Sequence, residues 1–250
     1  MKIVGIIPAR FGSTRFPGKP LAMIENKSMI ERVVEQVHKS SLVDSAVVAT
    51  DDERIAQHVQ DFGGEVVMTL DSHQSGTDRC YEALQKLAPG YDAVINIQGD
   101  EPFILPEQID QVAELLINGA DIATLVKPIS DSITLLDPNK VKAVLDNKNR
   151  ALYFSRSPIP FMKSKEVNEW VNLHQYYKHL GIYGYQKQVL RSITHLELSP
   201  LEQAESLEQL RWLQNGYEIV AGITKYESPS IDTPSDLEQA VQLLNSGQLG

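Results

Sequence analysis

The chain has 250 residues, of which 42% are hydrophobic and 22% are charged, and its formal net charge is −10 at pH 7. This is an ordinary globular composition, with enough length for a buried core. The acidic balance argues against a general nucleic-acid-binding protein, although it leaves room for a local basic pocket. No apolar run approaches the roughly 20 residues that span a bilayer, so we expect no membrane partner either.

The cysteine content and the first residues indicate a compartment. Cys80 is the single cysteine of the sequence, so it has no intrachain disulfide partner, which suits a reducing environment. The opening segment "MKIVGIIPAR" contains an apolar run too short for a signal peptide and is better interpreted as a first strand. We therefore expect a cytoplasmic protein.

Short apolar runs alternate with helical patterns in the first half of the chain. The runs are rich in Val and Ile and lack regular polar alternation, which is typical of strands buried on both faces of a parallel sheet. They cover Lys2–Ile7, Ser45–Thr50, Glu65–Thr69 and Asp92–Ile97. Apolar residues repeat at helical spacing between them, over 29–37, 55–62 and 80–87. This order predicts an α/β fold with a Rossmann-like, doubly wound, mostly parallel sheet and helices on both faces.

The second half of the chain is less regular. Strand-like runs with short connections cover Asp121–Ile129, Lys142–Asp146, Ala151–Ser155, His179–Tyr185 and Tyr217–Ile223. Helical spacing returns over 201–213, and Thr233 followed by Pro234 predicts the start of a last helix. No repeat or linker interrupts the chain, so we expect a single domain, residues 1–250.

A basic loop with two glycines follows the first strand, within "IIPARFGSTRFPGKPL". Its cations are Arg10, Arg15 and Lys19. Open α/β sheets bind ligands at this carboxyl end of their strands. Free backbone N–H groups near Gly12 and Gly18, together with the cations, would cradle a polyphosphate. The alternative is a solvated surface loop, and the chemistry of the loop alone leaves it open.

Two familiar phosphate-binding motifs do not fit this loop. In a Walker A motif that starts at Gly12, the glycine–lysine pair would stand one position earlier than Gly18 and Lys19 do here. In addition, Pro20 replaces the Ser or Thr that holds Mg²⁺. The dinucleotide fingerprint G-x-G-x-x-G is missing because Ser13 and Thr14 follow the first glycine. The sequence therefore argues against a P-loop NTPase and an NAD-dependent dehydrogenase.

Eight further motifs, in order along nearly the whole chain, resemble those of sugar nucleotidyltransferases. The likeness is to the CMP-sugar synthetases, and in particular to the 3-deoxy-manno-octulosonate (Kdo) cytidylyltransferase family. The motifs are Ala49–Ala56, Gly63–Thr69, His73–Arg79, Asn96–Pro102, Ala151–Arg156, Tyr177–Tyr185, Glu205–Arg211 and Ile231–Leu237. The resemblance implies the reaction of CTP with Kdo to give CMP-Kdo and diphosphate, with Mg²⁺, for bacterial lipopolysaccharide synthesis.

The resemblance also implies which residues handle the nucleotide and the metal. Catalytic roles fall on Arg10, Arg15, Lys19 and Asp100. Nucleotide-binding roles fall on Ala9, Arg10, Gly12, Ser13, Lys19, Gln74, Ser75, Gly76 and Asp100. Asp100 and Asp232 would hold the Mg²⁺ ion, and carboxylates are ligands that this ion prefers. Local sequence alone favours simpler roles. Asp232 would cap the helix that follows it, and Ser75 or Thr77 would cap the helix after the motif His73–Arg79.

Sugar recognition is assigned by the same resemblance to a second set of residues. These are Gln98, Arg156, His179, Tyr183, Glu208 and Gln209. A guanidinium fork fits a carboxylate, so Arg156 would pair with the sugar acid, and the two residues at 208 and 209 would take its hydroxyls. Without the resemblance, Glu208 is a solvated residue on an amphipathic helix and His179 is a structural histidine.

The family pattern further implies a homodimer, with a small β-rich dimerisation and lid lobe at roughly 142–190. The stretch Phe161–Gln175 matches the pattern least and is interpreted as a loop. The nucleophile would be the anomeric hydroxyl of the sugar, and we hypothesise a mechanism without a dedicated protein base. Two alternatives stay open: a cytidylyltransferase for a related acid, 8-amino-Kdo or a sialic-type acid, and a catalytically inactive nucleotide-binding homologue.

Overall fold

The computed structural model describes residues 1–12 and 15–246. The strands are β1 (Ile3–Ala9), β2 (Met23–Ile24), β3 (Lys27–Ser28), β4 (Ser45–Thr50), β5 (Glu65–Met68), β6 (Ala93–Asn96), β7 (Ile122–Ile129), β8 (Lys142–Leu145), β9 (Ala151–Ser155), β10 (Tyr176–Gln186) and β11 (Ile219–Ile223). The α-helices are α1 (Met29–His38), α2 (Glu53–Asp61), α3 (Gly76–Lys86), α4 (Pro106–Ile117), α5 (Ser132–Leu136), α6 (Trp170–Leu173), α7 (Lys187–Ile193), α8 (Pro200–Glu205), α9 (Gln209–Gln214) and α10 (Pro234–Asn245). Two 3₁₀ turns cover Lys19–Leu21 and Val167–Glu169.

The described residues group into two compact units. The first unit falls within Met1–Glu114 and Ser228–Gly250, and the second is Leu115–Glu227. The lobe expected at 142–190 falls inside the second unit. The predicted α/β class and mostly parallel sheet are confirmed, and no helix of the described part has the length and apolar character needed to cross a membrane.

The sheet of the first unit is parallel, with the order β6-β1-β4-β5. Its central strand, β1, is buried on both faces, as its uninterrupted apolar run predicts. Register pairs Ala9 with Thr50, and Thr50 with Met68, so these strands end at one edge. Because the strands are parallel, the segments that follow them begin side by side at that edge.

Side-chain caps fix where the flanking helices begin. Ser75 Oγ accepts the Asp78 N–H at 3.1 Å and so begins α3, which confirms the simpler role for Ser75 rather than for Thr77. Thr233 caps α10, with Pro234 in the first turn as predicted. Asp232 is therefore not the cap, and its carboxylate is available to other partners.

The sheet of the second unit is mixed. Strand β7 pairs in parallel with β11 and in antiparallel with β10, while β8 pairs in antiparallel with both β10 and β9. A register shift between Leu180 and Tyr183 interrupts the β10–β7 ladder. Strand β10 is longer than the predicted His179–Tyr185.

The prediction of one helix over 201–213 is wrong. The chain forms two short helices, α8 and α9, separated at Ser206, whose φ of 52° is left-handed. The carbonyls of Glu205 and Ser206 accept hydrogen bonds from the Arg156 guanidinium instead of continuing the helix. Glu208 consequently lies at the N-terminus of α9 and not along a helix face.

The interpretation of Phe161–Gln175 as a loop is also wrong in part. This stretch contains the second 3₁₀ turn and α6. Trp170 is 4% exposed and packs in a cluster with Ile129, Leu135 and Tyr176. Apolar burial of one aromatic side chain therefore gives this stretch local helical structure.

Candidate functional site

The basic loop closes on itself through the backbone. The Gly18 N–H donates to the Phe11 carbonyl at 2.9 Å, and Gly18 has a left-handed φ of 71°. A Cβ at this position would lie 3.1 Å from the Phe11 ring, so glycine fits both the conformation and the space. Gly12 has open space around its Cβ position, and the predicted residue Ser13 lies outside the described residues.

Lys19 lies between the two predicted metal carboxylates. Its Nζ is 2.6 Å from Asp100 Oδ2 and 3.4 Å from Asp232 Oδ1. Arg15 Nη2 contacts the same Asp232 oxygen at 3.0 Å. The Lys19 side chain is only 14% exposed, whereas Arg15 is 65% exposed. The structure thus brings four residues predicted from the sequence into one charged cluster.

A backbone hydrogen bond brings the two carboxylates together across a long stretch of sequence. The Ile231 N–H donates to the Asp100 carbonyl at 2.9 Å. Ile231 is fully buried in an apolar cluster with Ile24, Met29, Phe103 and Ala240. Because this cluster holds the segment before α10, Asp232 is placed beside the segment that follows β6.

Asp100 and Asp232 give this cluster carboxylate oxygens, the donor type that Mg²⁺ prefers. No group of three or more potential ligands from His, Cys, Asp and Glu exists in the described ranges. Mg²⁺ is usually bound by one or two carboxylates, with substrate phosphates and water completing its shell. The Lys19 ammonium, bound to Asp100 and Asp232, marks a position where a cation is stabilised.

A buried arginine fixes the strand ends beneath this edge. Arg79, on α3, is 0% exposed, and its Nη2 lies 2.9 Å from Asp51 Oδ2 while its Nη1 lies 2.5 Å from Thr69 Oγ1. Partial burial, and then the Arg79 charge, lower the pKa of Arg10 below its ordinary value. The Arg10 guanidinium is therefore close to the positive charge of Arg79, and two neighbouring cations favour the binding of an anion.

Glu82, one turn further along α3, fixes the loop between β5 and α3. Its Oε2 accepts the Leu70 N–H at 2.9 Å and contacts the His73 ring, while its Oε1 pairs with Lys86 at 2.7 Å. Burial alone would raise the pKa of Glu82, but these hydrogen bonds outweigh it and lower the pKa to about 2. Glu82 is therefore an anion that holds the loop carrying Gln74.

The predicted nucleotide residues of this loop sit at the start of α3. A Cβ added at Gly76 would be 3.5 Å from both Pro8 and Asn96, which is ordinary contact. The fold therefore does not require glycine at position 76. A glycine that the fold does not require is consistent with close approach of a ligand to the backbone.

The second unit carries the predicted sugar residues apart from Gln98, which follows β6 in the first unit. The His179 and Tyr183 rings are 5.1 Å apart, and His179 Nε2 lies 3.0 Å from Thr124 Oγ1. Burial of the ring lowers the pKa of His179 to about 3, so the imidazole is neutral near pH 7. Burial, and then the Glu208 charge, raise the pKa of Tyr183 well above its usual value.

Tyr183 offers a donor for a ligand. Its Oη is buried and lacks a hydrogen-bond partner within the part of the chain that the structure describes. A buried hydroxyl without a partner is costly, so a polar ligand group would stabilise it. Gln209, on α9, is 5% exposed, and Trp212 of the same helix packs edge-on against Tyr183 at 5.2 Å. His179 and Tyr183 on β10, and Glu208 and Gln209 at the start of α9, thus all lie in the second unit.

Arg156 is engaged by backbone groups. Its Nε donates to the Glu205 carbonyl at 2.7 Å, and its Nη1 and Nη2 donate to the carbonyls of Pro138 and Ser206 at 3.1 and 3.3 Å. Glu205 in turn accepts the Arg156 backbone N–H and the Ser155 hydroxyl. These bonds give Arg156 a role in shaping the turn before α9, and its predicted pairing with a sugar carboxylate stays a prediction.

Comparison with known proteins identifies the family. The profile of the family described as cytidylyltransferase matches residues 4–219. A 3-deoxy-manno-octulosonate cytidylyltransferase of Parabacteroides distasonis is 57% identical over 249 residues, with 98% of each chain covered. The one of Bacteroides thetaiotaomicron is 53% identical over 250 residues, which cover 98% of this chain and 99% of the other. The chain belongs to the 3-deoxy-manno-octulosonate cytidylyltransferase family.

A solved structure agrees with membership of the 3-deoxy-manno-octulosonate cytidylyltransferase family. It is described as a CMP:2-keto-3-deoxy-manno-octonic acid synthetase complexed with CTP, and it superimposes with a TM-score of 0.92 at 41% identity. The match covers 99% of this chain and 100% of the other. The family resemblance inferred from the motifs is confirmed, while the roles of individual residues stay predictions.

Sequence reasoning did not find Arg79 or Glu82. Both lie in or next to the motif His73–Arg79, and a signal for Arg79 was present. Arg79 precedes Ala83 by four residues, so it shares the apolar face that the spacing of α3 predicts. A charged residue on an apolar face points to a buried ion pair, and Asp51 at the end of β4 provides its partner.

We expect Arg79→Met to lower the free energy of unfolding by about 3–5 kcal/mol, because it leaves the Asp51 carboxylate without its buried partner. Chemical denaturation at pH 7 measures this loss. Arg54→Met is the matched control, since Arg54 pairs with the neighbouring Asp52 but is 60% exposed, so its removal should lower the free energy of unfolding much less. Equal losses in the two variants would contradict the assignment, and Asp51→Asn added to Arg79→Met should recover part of the loss.

His179 should make the protein less stable in mild acid. Its pKa is near 3 when folded and near 6.5 when unfolded, so the unfolded chain binds more protons between these values. The contribution of His179 to stability is complete above pH 6.5 and falls by about 1.4 kcal/mol per pH unit as the pH drops towards 3. Denaturation at pH 7 and pH 5 should show a smaller difference for His179→Gln than for the wild type. Identical pH dependence would show that His179 is not buried as a neutral group.

Proposed function

We propose that this protein transfers CMP from CTP to the anomeric hydroxyl of Kdo, releasing diphosphate. The observation that carries the proposal is the cluster of Lys19, Arg15, Asp100 and Asp232 in a chain that matches 3-deoxy-manno-octulosonate cytidylyltransferases over 98% of its length. A CTP complex of a relative with a TM-score of 0.92 supports the same nucleotide. Both substrates are anions, so the protein must neutralise charge and position the reacting groups.

The basic loop supplies the charge for the triphosphate. Arg10, Arg15 and Lys19 lie on or beside a loop that starts at the carboxyl edge of the sheet, and backbone N–H groups near Gly12 add further donors. Cations placed in advance at this edge stabilise the negative charge of the phosphates and of the departing diphosphate. The loop at the start of α3, held by Glu82, would contact the nucleoside with Gln74, Ser75 and Gly76.

Asp100 and Asp232 are the residues that we propose to hold Mg²⁺. When bound, Mg²⁺ would neutralise phosphate charge and align the reacting oxygens. Asp100 lies in the segment after β6, and the Ile231 backbone bond fixes Asp232 beside it. The protein's contribution is therefore to keep two carboxylates in place for one cation.

The second unit offers neutral hydrogen-bonding groups for the sugar. His179 is neutral and its Nε2 is engaged by Thr124, so we assign it an orienting role rather than that of a general base. Tyr183 would donate its buried hydroxyl to the substrate, and Glu208 and Gln209 would accept or donate to sugar hydroxyls. Gln98 would serve near the reacting centre, and no dedicated protein base is proposed.

We further propose a homodimer that works in the cytoplasm and supplies CMP-Kdo for lipopolysaccharide synthesis. Large apolar side chains of the second unit are exposed, with Ile133 at 84%, Phe161 at 75% and Leu152 at 60%, which suits a surface covered by another copy. The single cysteine, Cys80, is buried and suits a reducing compartment.

Diphosphate release tests the proposed reaction. We expect release to require CTP, Kdo and Mg²⁺ together, and to fall by about 100-fold or more in Asp100→Asn and Asp232→Asn, which each remove a carboxylate proposed to hold Mg²⁺. Asp61→Asn, an exposed carboxylate at the end of α2, is the matched control and should retain activity.

Three other nucleotides and two other sugar acids are tested as alternative substrates in this assay. ATP, GTP and UTP should give no release with Kdo. Turnover on 8-amino-Kdo or a sialic-type acid, with none on Kdo, would contradict the sugar assignment. Full activity in both aspartate variants would contradict the assignment of the metal carboxylates.

A further inference from the structure

The Lys19 ammonium binds the same carboxylates that would bind the metal. Its Nζ lies 2.6 Å from Asp100 Oδ2 and 3.4 Å from Asp232 Oδ1, and the side chain is 14% exposed. The backbone around it is fixed, since the Lys19 N–H donates to the Phe16 carbonyl and the Lys19 carbonyl accepts the Ala22 N–H. The flexible part is therefore the four-carbon stem that carries the charge.

A divalent ion and this ammonium cannot share the position without a large cost. Two cations at such short range repel each other strongly, because water screens only part of the interaction at a site that is mostly covered. An ion that binds Asp100 and Asp232 must therefore displace Lys19 from at least one of them. A displaced ammonium needs another anion, and the triphosphate of CTP is the anion that the proposed function brings to this loop.

We propose that Lys19 is an exchangeable internal cation, which occupies Asp100 and Asp232 before the nucleotide binds and moves to the triphosphate as Mg²⁺ takes its place. This inference rests on the proposed function for the identity of the anion. The consequence is positive coupling: the metal binds weakly to the nucleotide-free protein, and each ligand favours the other. A compact ammonium on a flexible stem suits such an exchange better than a planar guanidinium.

Lys19 is distinguished from its neighbour Arg15 by its contacts. Arg15 touches Asp232 alone and is 65% exposed, so water screens its pair and its removal should change metal affinity less. Lys19 contacts both carboxylates and is largely covered. Removal of the Lys19 charge should therefore raise the metal affinity more than removal of the Arg15 charge does.

Binding of Mn²⁺ to the nucleotide-free protein, followed by electron paramagnetic resonance, tests the proposal without any turnover. We expect Lys19→Met and Lys19→Gln to bind Mn²⁺ at least tenfold more tightly than the wild type, which corresponds to about 1.4 kcal/mol. Lys27→Met is the matched control, because Lys27 pairs with Glu35 outside the cluster, and it should bind Mn²⁺ as the wild type does.

Unchanged or weaker Mn²⁺ binding in both Lys19 variants, with thermal unfolding that shows them folded, would overturn the proposal. Asp100→Asn added to Lys19→Met should abolish the gain; if the gain persists, the ion lies elsewhere and the proposal also fails. The measurement contains neither CTP nor Kdo. A protein that lacked the transferase activity could still show the Mn²⁺ effect. Failure of the proposed function can therefore be distinguished from failure of the Lys19 exchange.

Discussion

The chemistry of the first unit depends on two carboxylates held beside one cation. Asp100 and Asp232 are far apart in sequence, and the Ile231 N–H bond to the Asp100 carbonyl, 2.9 Å long, brings their segments together. Burial of Ile231 in an apolar cluster fixes that bond. Hydrophobic packing, which has no direction of its own, thereby helps to set the position of charged groups.

A second layer of charge keeps the surrounding loops in place. Arg79 ties α3 to the ends of β4 and β5 through Asp51 and Thr69, and Glu82 holds the loop before α3. Neither side chain is among the residues predicted to touch a substrate. Their hydrogen bonds hold the backbone segments beside the site, which is how supporting groups preorganise a site.

Sequence reasoning succeeded where a local pattern decides the structure. The bounds of Ser45–Thr50 and Ala151–Ser155 match their predictions, because short runs that contain valine or aromatic residues are typical of strands. It failed over 201–213, where the left-handed Ser206 and the distant Arg156 override an apolar spacing that fits one helix. Arg79 was missed although its place on the apolar face of α3 gave a signal, because its partner Asp51 is close to it only in the fold.

Structures of the protein alone and with CTP and Mg²⁺ test the central claim most directly. With both ligands bound, our account predicts that Asp100 and Asp232 ligate the same Mg²⁺ ion and that Lys19 Nζ contacts a phosphate oxygen. It would be contradicted if Asp232 took no part in binding the ion, or if Lys19 kept its contacts with both carboxylates while the triphosphate was bound.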